Sequence, residues 1–278
     1  MNRRPARILV IAGSDSSGGA GIQADIKTAT ALGAYAMTAV TAVTAQDTRG
    51  IHAIHPIPAA IVREQIAWTL ADIGADAIKI GMLGSAGIVE AVADVLAAQA
   101  KDIPIVLDPV LASTSGTVLL DEAGRTAMTV RLFPLATLIT PNIPEAEILS
   151  GISIHGLDYV MRAAKILCAA SARAVLVKGG HTGEHDVSDA LVLSGSHESY
   201  HFESSRIDTL HTHGTGCTLS TAIAVGLGQG LALRDAAERA HRFVYDAIEA
   251  APGFGSGHGP VNHMHAIAPY EFKSVFET

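Results

Sequence analysis

Short apolar runs alternate along this chain with longer segments that have the spacing of amphipathic helices. Four of the runs are only three or four residues long: Ala77–Ile80, Ile105–Leu107, Thr137–Thr140 and Ala174–Val177. Runs that are apolar throughout, rather than at every second residue, are typical of parallel strands covered on both faces. The pattern therefore predicts an α/β fold with helices on both sides of a mostly parallel sheet.

The remaining predicted elements extend this order over the whole chain. Two further strands are expected at Arg7–Ala12 and Tyr35–Thr44, and helices at Gly19–Leu32, Pro58–Ala71, Asp158–Ala170, Thr215–Gly228 and Leu233–Ala250. Two runs, Ser188–Leu193 and Glu198–Glu203, flank Ser194-Gly195-Ser196-His197 and predict an antiparallel hairpin at the edge of the sheet. Residues 252–260 are expected to form a loop. Since no linker or repeat is evident, we predict one domain over residues 1–278, a three-layer α/β/α sandwich.

Composition excludes several classes of function. The net charge is −8 with no block of like charges, which argues against a nucleic-acid partner. No uninterrupted apolar run reaches about 18 residues, so no membrane partner is expected. The two cysteines, Cys168 and Cys217, provide neither a disulfide framework nor a zinc pattern. The first residues lack the apolar segment of a signal peptide, so we expect a cytoplasmic protein.

A glycine-rich segment, His213-Gly214-Thr215-Gly216-Cys217, stands where the helix Thr215–Gly228 should begin. The first N–H groups of a helix have no partner inside it, and they suit an anion. Cys217 lies in the first turn, where the helix dipole should lower the pKa of a thiol. These features indicate phosphate chemistry; a glycine-rich helix start that buries a cysteine is the alternative.

The loop after the first strand carries a second set of glycines. Gly13 to Gly18 has the spacing of a P-loop, but Gly19-Ala20 replace the lysine and hydroxyl residue of that motif. The segment Gly19–Ala24 fits G-x-G-x-x-A, yet it begins too far beyond the strand for a dinucleotide-binding turn. We favour a loop that closes over a small substrate, with Asp25 as a hydrogen-bond acceptor.

Several other strands are followed by residues suited to ligand binding. Gln46 has an amide that donates and accepts in one plane, which suits a heteroaromatic ring, although amides are also common in turns. Met82 offers an apolar wall or simple core packing, and Asp108 offers a carboxylate for a magnesium shell.

The strands Thr137–Thr140 and Ala174–Val177 lead to the most polar candidates. Asn142 and Glu145 are spaced to position a water-coordinated Mg²⁺, or simply to start a helix. Lys178, followed by Gly179-Gly180-His181, suits phosphate oxygens but would be unremarkable as a surface lysine.

Two histidines, His211 and His213, alternate before the glycine-rich helix start, but no partner pair recurs at metal-ligand spacing. Cys168 lies on the apolar face of its helix and is expected in the core. The small polar segment Ala112–Thr117 is a candidate flap.

Together these segments make the chain similar to the ribokinase-like superfamily, and within it to the bacterial hydroxymethylpyrimidine/phosphomethylpyrimidine kinases of thiamine biosynthesis. The resemblance covers essentially the whole chain. The matching segments are, in order, Ala12–Asp25, Thr44–Thr48, Lys79–Gly84, Asp108–Val110, Thr140–Asn142 with Glu145, Val177–His181 and Gly214–Cys217.

The resemblance implies a kinase that uses ATP and Mg²⁺, with a monovalent cation as a further candidate, on an aminopyrimidine and then on its monophosphate. It also implies a homodimer. The implied substrate pocket comprises Gln46, Gly13, Asp25, Met82 and Val110. The implied catalytic segment comprises Gly214, Thr215, Gly216 and Cys217. Implied nucleotide contacts are Lys178, Asn142, Glu145 and Thr215, and the implied metal residues are Glu145, Asn142 and Asp108.

Many relatives have an aspartate as general base at the position of Cys217. A thiol at a helix start could act as base or orient the hydroxyl, since loose phosphoryl transfer does not require a strong base. The alternatives left open are a pyridoxal kinase of the same type, a catalytically silent pyrimidine-binding protein, and a dinucleotide-dependent oxidoreductase.

Overall fold

The computed structural model describes residues 4–113, 116–170, 172–179, 186–196 and 198–268. Within these residues, one nine-stranded sheet has the order β3-β2-β1-β4-β5-β6-β7-β8-β9. Its strands are β1 (Arg7–Asp15), β2 (Tyr35–Asp47), β3 (Gly50–Pro56), β4 (Ala77–Ile80), β5 (Ile105–Leu107), β6 (Leu138–Ile139), β7 (Ala174–Val177), β8 (Asp186–Leu193) and β9 (Ser199–Ser205). The helices are α1 (Gly21–Ala31), α2 (Ala59–Asp72), α3 (Ala86–Gln99), α4 (Glu122–Arg131), α5 (Ile143–Ser150), α6 (Leu157–Ala169), α7 (Thr215–Gly228) and α8 (Leu233–Glu249).

The central strands are parallel, and antiparallel strands lie at both edges of the sheet. β1 pairs in parallel with β2 and β4, and the parallel order continues through β5, β6 and β7. β3 pairs antiparallel with β2, and β8 and β9 form the antiparallel hairpin at the opposite edge. The predicted fold class is confirmed, although His197 of the predicted hairpin loop lies outside the described residues.

Helices cover both faces of this sheet, and successive β1 residues point to opposite layers. Leu9 and Ile11 pack with α2, α3, α4, α5 and α6 in one core. Ile8 and Val10 pack with α1, α7 and α8 in the other. Because all of these strand side chains are buried, the strand has no polar face. The parallel strands therefore place their carboxyl ends, and the loops that follow, at one shared edge.

The first two strands are longer than the apolar pattern predicts, and β3 was not predicted. β1 continues to Asp15 and β2 to Asp47, where the chain turns into β3. The residues His52 to Pro56 of β3 are all exposed, so the strand lacks the apolar run that marks a buried one. α1 begins at Gly21 rather than Gly19, because the Asp15 carboxylate holds the N–H groups of Ser17 and Ala20 in the preceding turn.

The loop at residues 252–260 is confirmed, and it is tied to the β2–β3 turn. The His258 N–H donates to the Thr48 carbonyl at 2.7 Å, and the Gly257 N–H donates to Thr48 Oγ1 at 3.2 Å. A Cβ at Gly257 would lie 2.2 Å from that carbonyl, so only glycine permits this approach. Among the described helices, none is both long and apolar enough to cross a bilayer.

Candidate active site at the carboxyl edge of the sheet

The start of α7 is built on a glycine that no other residue replaces easily. Gly214 has φ of 86°, and a Cβ there would lie 1.8 Å from the Gly19 carbonyl oxygen. The Thr215 N–H is donated to the Thr212 carbonyl at 3.2 Å. The N–H groups of Gly216 and Cys217 follow in the first turn, where the helix dipole is positive. The helix therefore begins at the glycine-rich segment as predicted, and anion binding there stays a prediction.

Lys178 brings a positive charge to the same place. Its Nζ donates to Asp108 Oδ1 at 2.8 Å, and a Cβ at Gly216 would lie 3.1 Å from it. Burial alone would lower the pKa of Lys178. The nearby carboxylates of Asp108 and Glu145 raise it by more than burial lowers it, so the amine stays charged. The side chain is 15% exposed, so one side remains open to a ligand. Gly180 and His181, which follow in the sequence, lie outside the described residues.

Asn142 and Glu145 form a capping box at the start of α5. Asn142 Oδ1 accepts the Glu145 N–H at 2.9 Å, and Glu145 Oε2 accepts the Asn142 N–H at 2.9 Å. The helix-start alternative is thus correct, and it does not exclude a role in binding. Burial raises the pKa of Glu145 to about 7; Lys178 opposes this rise and Asp108 adds to it. Burial thus outweighs the nearby Lys178 charge, and a role of Glu145 beside a cation stays a prediction.

The expected lowering of the Cys217 pKa is wrong. Burial raises the pKa of this thiol to about 11, and the carboxylates of Asp25 and Asp108 add to the rise. Lys79 and the Gly21 N–H act in the opposite direction but do not compensate. The sequence placed the thiol correctly at a helix start, but it did not show that this half-buried side chain lies near the carboxylates of Asp25 and Asp108.

Asp25 lies beneath the site rather than on its surface. Both carboxylate oxygens accept from Lys79 Nζ at 2.9 Å, Thr221 Oγ1 donates to Oδ1 at 2.6 Å, and neither charged side chain has exposed area. The predicted contact of Asp25 with substrate remains a prediction that this burial does not favour. In the sequence, Lys79 stands out only as part of a segment shared with the similar family. A single lysine within the otherwise apolar strand β4 is the signal that could have predicted its buried ion pair.

The substrate side is assembled from the ends of β1 and β2. Gln46 Nε2 lies 3.3 Å from His213 Nε2, and that ring nitrogen lies 2.8 Å from Asp15 Oδ2. Sequence analysis missed this pairing, because Asp15 and His213 are separated by 198 residues and His213 was considered only as a metal ligand.

Two of the residues predicted for the pocket, Gly13 and Met82, lie close together. A Cβ at Gly13 would lie 3.0 Å from Met82 Sδ, so the glycine lets Met82 approach β1. The Met82 carbonyl accepts from Thr41 Oγ1 at 2.6 Å, and Val110, two residues after Asp108, is half-buried. That these residues line a substrate pocket stays a prediction.

The space next to Gln46 is narrow. It measures about 20 Å³ and is lined by Gln46, His213, Ser113, His258 and the β2–β3 turn. This is room for about one water molecule, so a ring-sized ligand requires the turn or the tail to move. Ser113 belongs to the predicted flap, whose Thr114 and Ser115 lie outside the described residues. Cys168 is buried as predicted, and the described residues form no group of three His, Cys, Asp or Glu side chains suited to a metal.

Comparison with known proteins gives one consistent family. The family described as phosphomethylpyrimidine kinase matches residues 15–262. The hydroxymethylpyrimidine/phosphomethylpyrimidine kinase of Streptomyces coelicolor is 43% identical over 95% of this chain and 96% of its own length. The thiamine biosynthesis bifunctional protein of Geobacter sulfurreducens is 46% identical over 93% of this chain, which spans only 52% of that protein.

Solved structures show the same architecture. The ADP complex of Bacillus subtilis pyridoxal kinase has a TM-score of 0.86 and 36% identity, covering 94% of this chain and 98% of its own.

Proposed function

The chain belongs to the phosphomethylpyrimidine kinase family and is a phosphotransferase of thiamine biosynthesis, and we propose that it phosphorylates 4-amino-5-hydroxymethyl-2-methylpyrimidine and then the monophosphate. One observation carries the assignment of the site: Lys178, Asp108 and the start of α7 converge at the carboxyl edge of the sheet. Nucleotide phosphates need a fixed positive charge and free N–H donors at one place.

The positive end of α7 holds the phosphoryl group during transfer. The N–H groups of Gly216 and Cys217 donate to its oxygens, and Lys178, whose Nζ lies next to Gly216, supplies positive charge. Charge spreads over those oxygens in the transition state, so donors fixed before the reaction lower the barrier. The ADP complex of the Bacillus subtilis pyridoxal kinase supports ATP as the donor.

Asp108 and Glu145 fit a water-coordinated Mg²⁺. Both offer carboxylate oxygens beside Lys178, and burial raises the pKa of Glu145 although that lysine opposes the rise. Mg²⁺ in kinases commonly takes one or two carboxylates, several waters and the phosphates themselves. When bound, it neutralises charge on the phosphate oxygens. Asn142 shapes this site through the capping box.

Cys217 orients the substrate hydroxyl and does not act as its base. With a pKa of about 11, roughly one thiol in 10⁴ is ionised at pH 7. The hydroxyl oxygen bonds to the γ-phosphorus, the bond between that phosphorus and the ADP oxygen breaks, and the hydroxyl proton passes to an oxygen of the transferred group. A loose transition state does not require a stronger base.

The remaining assignments follow from the family and stay proposals. Gln46 binds the aminopyrimidine edge, with Gly13, Met82 and Val110 against the ring. A homodimer is proposed on the resemblance alone, and a cytoplasmic location stays a prediction from the sequence. Pyridoxal is a second candidate substrate, favoured by the similarity to the Bacillus subtilis pyridoxal kinase.

A coupled assay of ADP release tests the proposal with three acceptors: the hydroxymethylpyrimidine, its monophosphate and pyridoxal. We expect ADP release with both pyrimidines, and Lys178→Met should lower kcat/KM by about 10²-fold or more. The exposed Lys165 on α6 provides the matched control, and Lys165→Met should stay within about twofold of the wild type. Activity on pyridoxal alone, or no ADP release with any acceptor, would contradict the proposal.

A further inference from the structure

A chain of three polar side chains leads from the end of β1 to the substrate pocket. Asp15 Oδ2 lies 2.8 Å from His213 Nε2, and Gln46 Nε2 lies 3.3 Å from the same ring nitrogen. Asp15 and His213 are both buried. One nitrogen atom thus faces a carboxylate on one side and a carboxamide on the other.

Asp15 is held as a carboxylate. Burial alone would raise its pKa, but hydrogen bonds from His213, Ser17 and Ala20 hold that pKa below the ordinary value. Ala20 N–H donates to Oδ2 at 2.8 Å, and Ser17 Oγ donates to both oxygens. An ionised carboxylate only accepts hydrogen bonds, so the ring nitrogen at 2.8 Å must carry a proton.

The same proton decides which end of Gln46 can face His213. Because His213 Nε2 is a donor, the favourable neighbour is the amide oxygen, whereas two donors oppose each other when Gln46 Nε2 stands there. At the other end of the amide, Oε1 lies 3.3 Å from Thr44 Oγ1. The Thr44 hydroxyl also donates to the Ser14 carbonyl at 3.0 Å, and it then accepts from an amide N–H. Turning the amide by 180° removes this opposition: the single Nε2–H is then shared between Asp15 Oδ2 and the amide oxygen, and Thr44 accepts from the amide N–H. The two ends of the amide are equal in shape.

We propose that Asp15 and His213 are positioning residues that fix the Gln46 carboxamide with its oxygen toward His213 and its nitrogen toward Thr44, and thereby select the substrate by its ring edge. The inference rests on the proposed function, since it concerns the acceptor pocket of that reaction. The fixed amide retains one free acceptor position on its oxygen, on the side of His213, and one free N–H donor on its nitrogen, on the side of Thr44. The order of acceptor and donor along the pocket is therefore set. The 4-amino edge of a pyrimidine carries an amine donor beside a ring-nitrogen acceptor, and it matches one order of the amide groups. The 4-oxo edge carries a carbonyl acceptor beside a ring N–H donor, and it matches the reverse order.

The surrounding backbone keeps His213 from turning. The backbone N–H of His213 donates to the Gly259 carbonyl at 3.1 Å, and a Cβ at Gly19 would lie 2.5 Å from the ring carbon Cδ2 of His213. The ring is therefore clamped between the loop after β1 and the tail. A clamped donor selects against the wrong ring edge more strongly than a mobile one, because the mismatched groups cannot rearrange.

Substrate preference gives the first test. The ratio of kcat/KM for the 4-amino substrate to that for its 4-oxo analogue should be roughly 10²-fold in the wild type. Asp15→Ala removes the acceptor that holds the proton on His213 Nε2, so the Gln46 amide can turn and the ratio should fall below about tenfold, as it should in His213→Leu. His213→Asn keeps a donor and should restore most of the preference. The KM for ATP should change less than about twofold in all three variants.

The tautomer of His213 gives the second test and needs no substrate. A long-range ¹⁵N–¹H spectrum of labelled full-length protein should place the proton on Nε2 in the wild type, whereas in Asp15→Ala the two ring nitrogens should share it. A wild-type ring without a proton on Nε2 would overturn the inference, and so would an unchanged substrate preference in Asp15→Ala or His213→Leu. If neither pyrimidine supports ADP release, the proposed function fails instead, and the spectrum still decides the orientation.

Discussion

Replacing Lys79 by methionine should destabilise the protein strongly, although the substitution lies in a strand and keeps the length of the side chain. Lys79 Nζ donates to both oxygens of Asp25 at 2.9 Å, and both side chains have no exposed area. Burial lowers the pKa of the lysine, but attraction to Asp25 keeps it above the ordinary value, so the pair is ionised. Removing the cation leaves a buried carboxylate without its counter-charge.

The expected cost is about 3–5 kcal/mol, the range for breaking one side of a buried ion pair. The 278 residues give an unfolding entropy of about 0.6 kcal/mol per kelvin, so the melting temperature should fall by about 5–9 K. Calorimetry and urea unfolding, followed by both fluorescence and circular dichroism, measure the change.

Two further variants separate charge burial from loss of packing. Lys79→Met combined with Asp25→Leu removes both charges and should recover most of the loss, to within about 2 K of the wild type. Arg131, which pairs with Glu90 and Asp94 on the surface, is the matched control, and Arg131→Met should cost less than about 1 kcal/mol. A single Lys79→Met variant that melts within 2 K of the wild type would refute the reasoning, as would a double variant no better than the single.

Three other predictions concern the α5 and α7 helix starts. Burial raises the pKa of Glu145 in the folded state to about 7. The folded state therefore loses stability as the pH rises from the ordinary pKa of a glutamate through 7, because the unfolded state ionises first. The melting temperature gained by Glu145→Gln should be larger at pH 8 than at pH 5. Cys217 should react slowly with iodoacetamide at pH 7.5 and faster up to about pH 11, measured by mass spectrometry. Gly214→Ala should cost more than about 3 kcal/mol in urea unfolding, because its Cβ meets a backbone oxygen.

Each of these has its own control. Equal effects of Glu145→Gln at both pH values would show that the carboxyl is not protonated on folding. The rate at which glutathione reacts with iodoacetamide is the reference for an ordinary thiol. An equal reaction rate of Cys217 at pH 7.5 would contradict its raised pKa. Gly230→Ala has nearly the same φ, 87°, with open space around the added carbon, so it should cost only about 1 kcal/mol; an equal loss in both variants would rule out the steric argument.

The parts of the fold that the sequence predicts are those whose residues share one environment. β4, β5 and β7 begin and end where predicted, because burial on both faces makes them apolar apart from Lys79. β3 was missed, because it lies at the edge of the sheet and its residues from His52 to Pro56 face water. Sequence periodicity reports burial, and an exposed strand leaves no such record.

The candidate site divides in the same way. Lys178, Asp108 and Gln46 were predicted because parallel strands bring their carboxyl ends together, whatever the spacing along the chain. The pairs Lys79 with Asp25 and Asp15 with His213 are 54 and 198 residues apart, and no local pattern reveals them. The pKa of Cys217 was predicted with the wrong sign, because a helix start is visible in sequence and the burial around it is not.

The separation between paired residues also sets the order in which the protein is made. Asp15 meets His213 after 198 further residues, Asp25 meets Thr221 after 196, and Thr48 meets Gly257 after 209. At about 5–20 residues per second, a ribosome needs roughly 10–40 s to supply these late partners. The strands from β1 to β7 are synthesised before α7, so most of the sheet can exist while the phosphate end and the pyrimidine end of the site are both incomplete. Activity should therefore appear only in the last step of folding, when the helix and the tail dock against loops made long before.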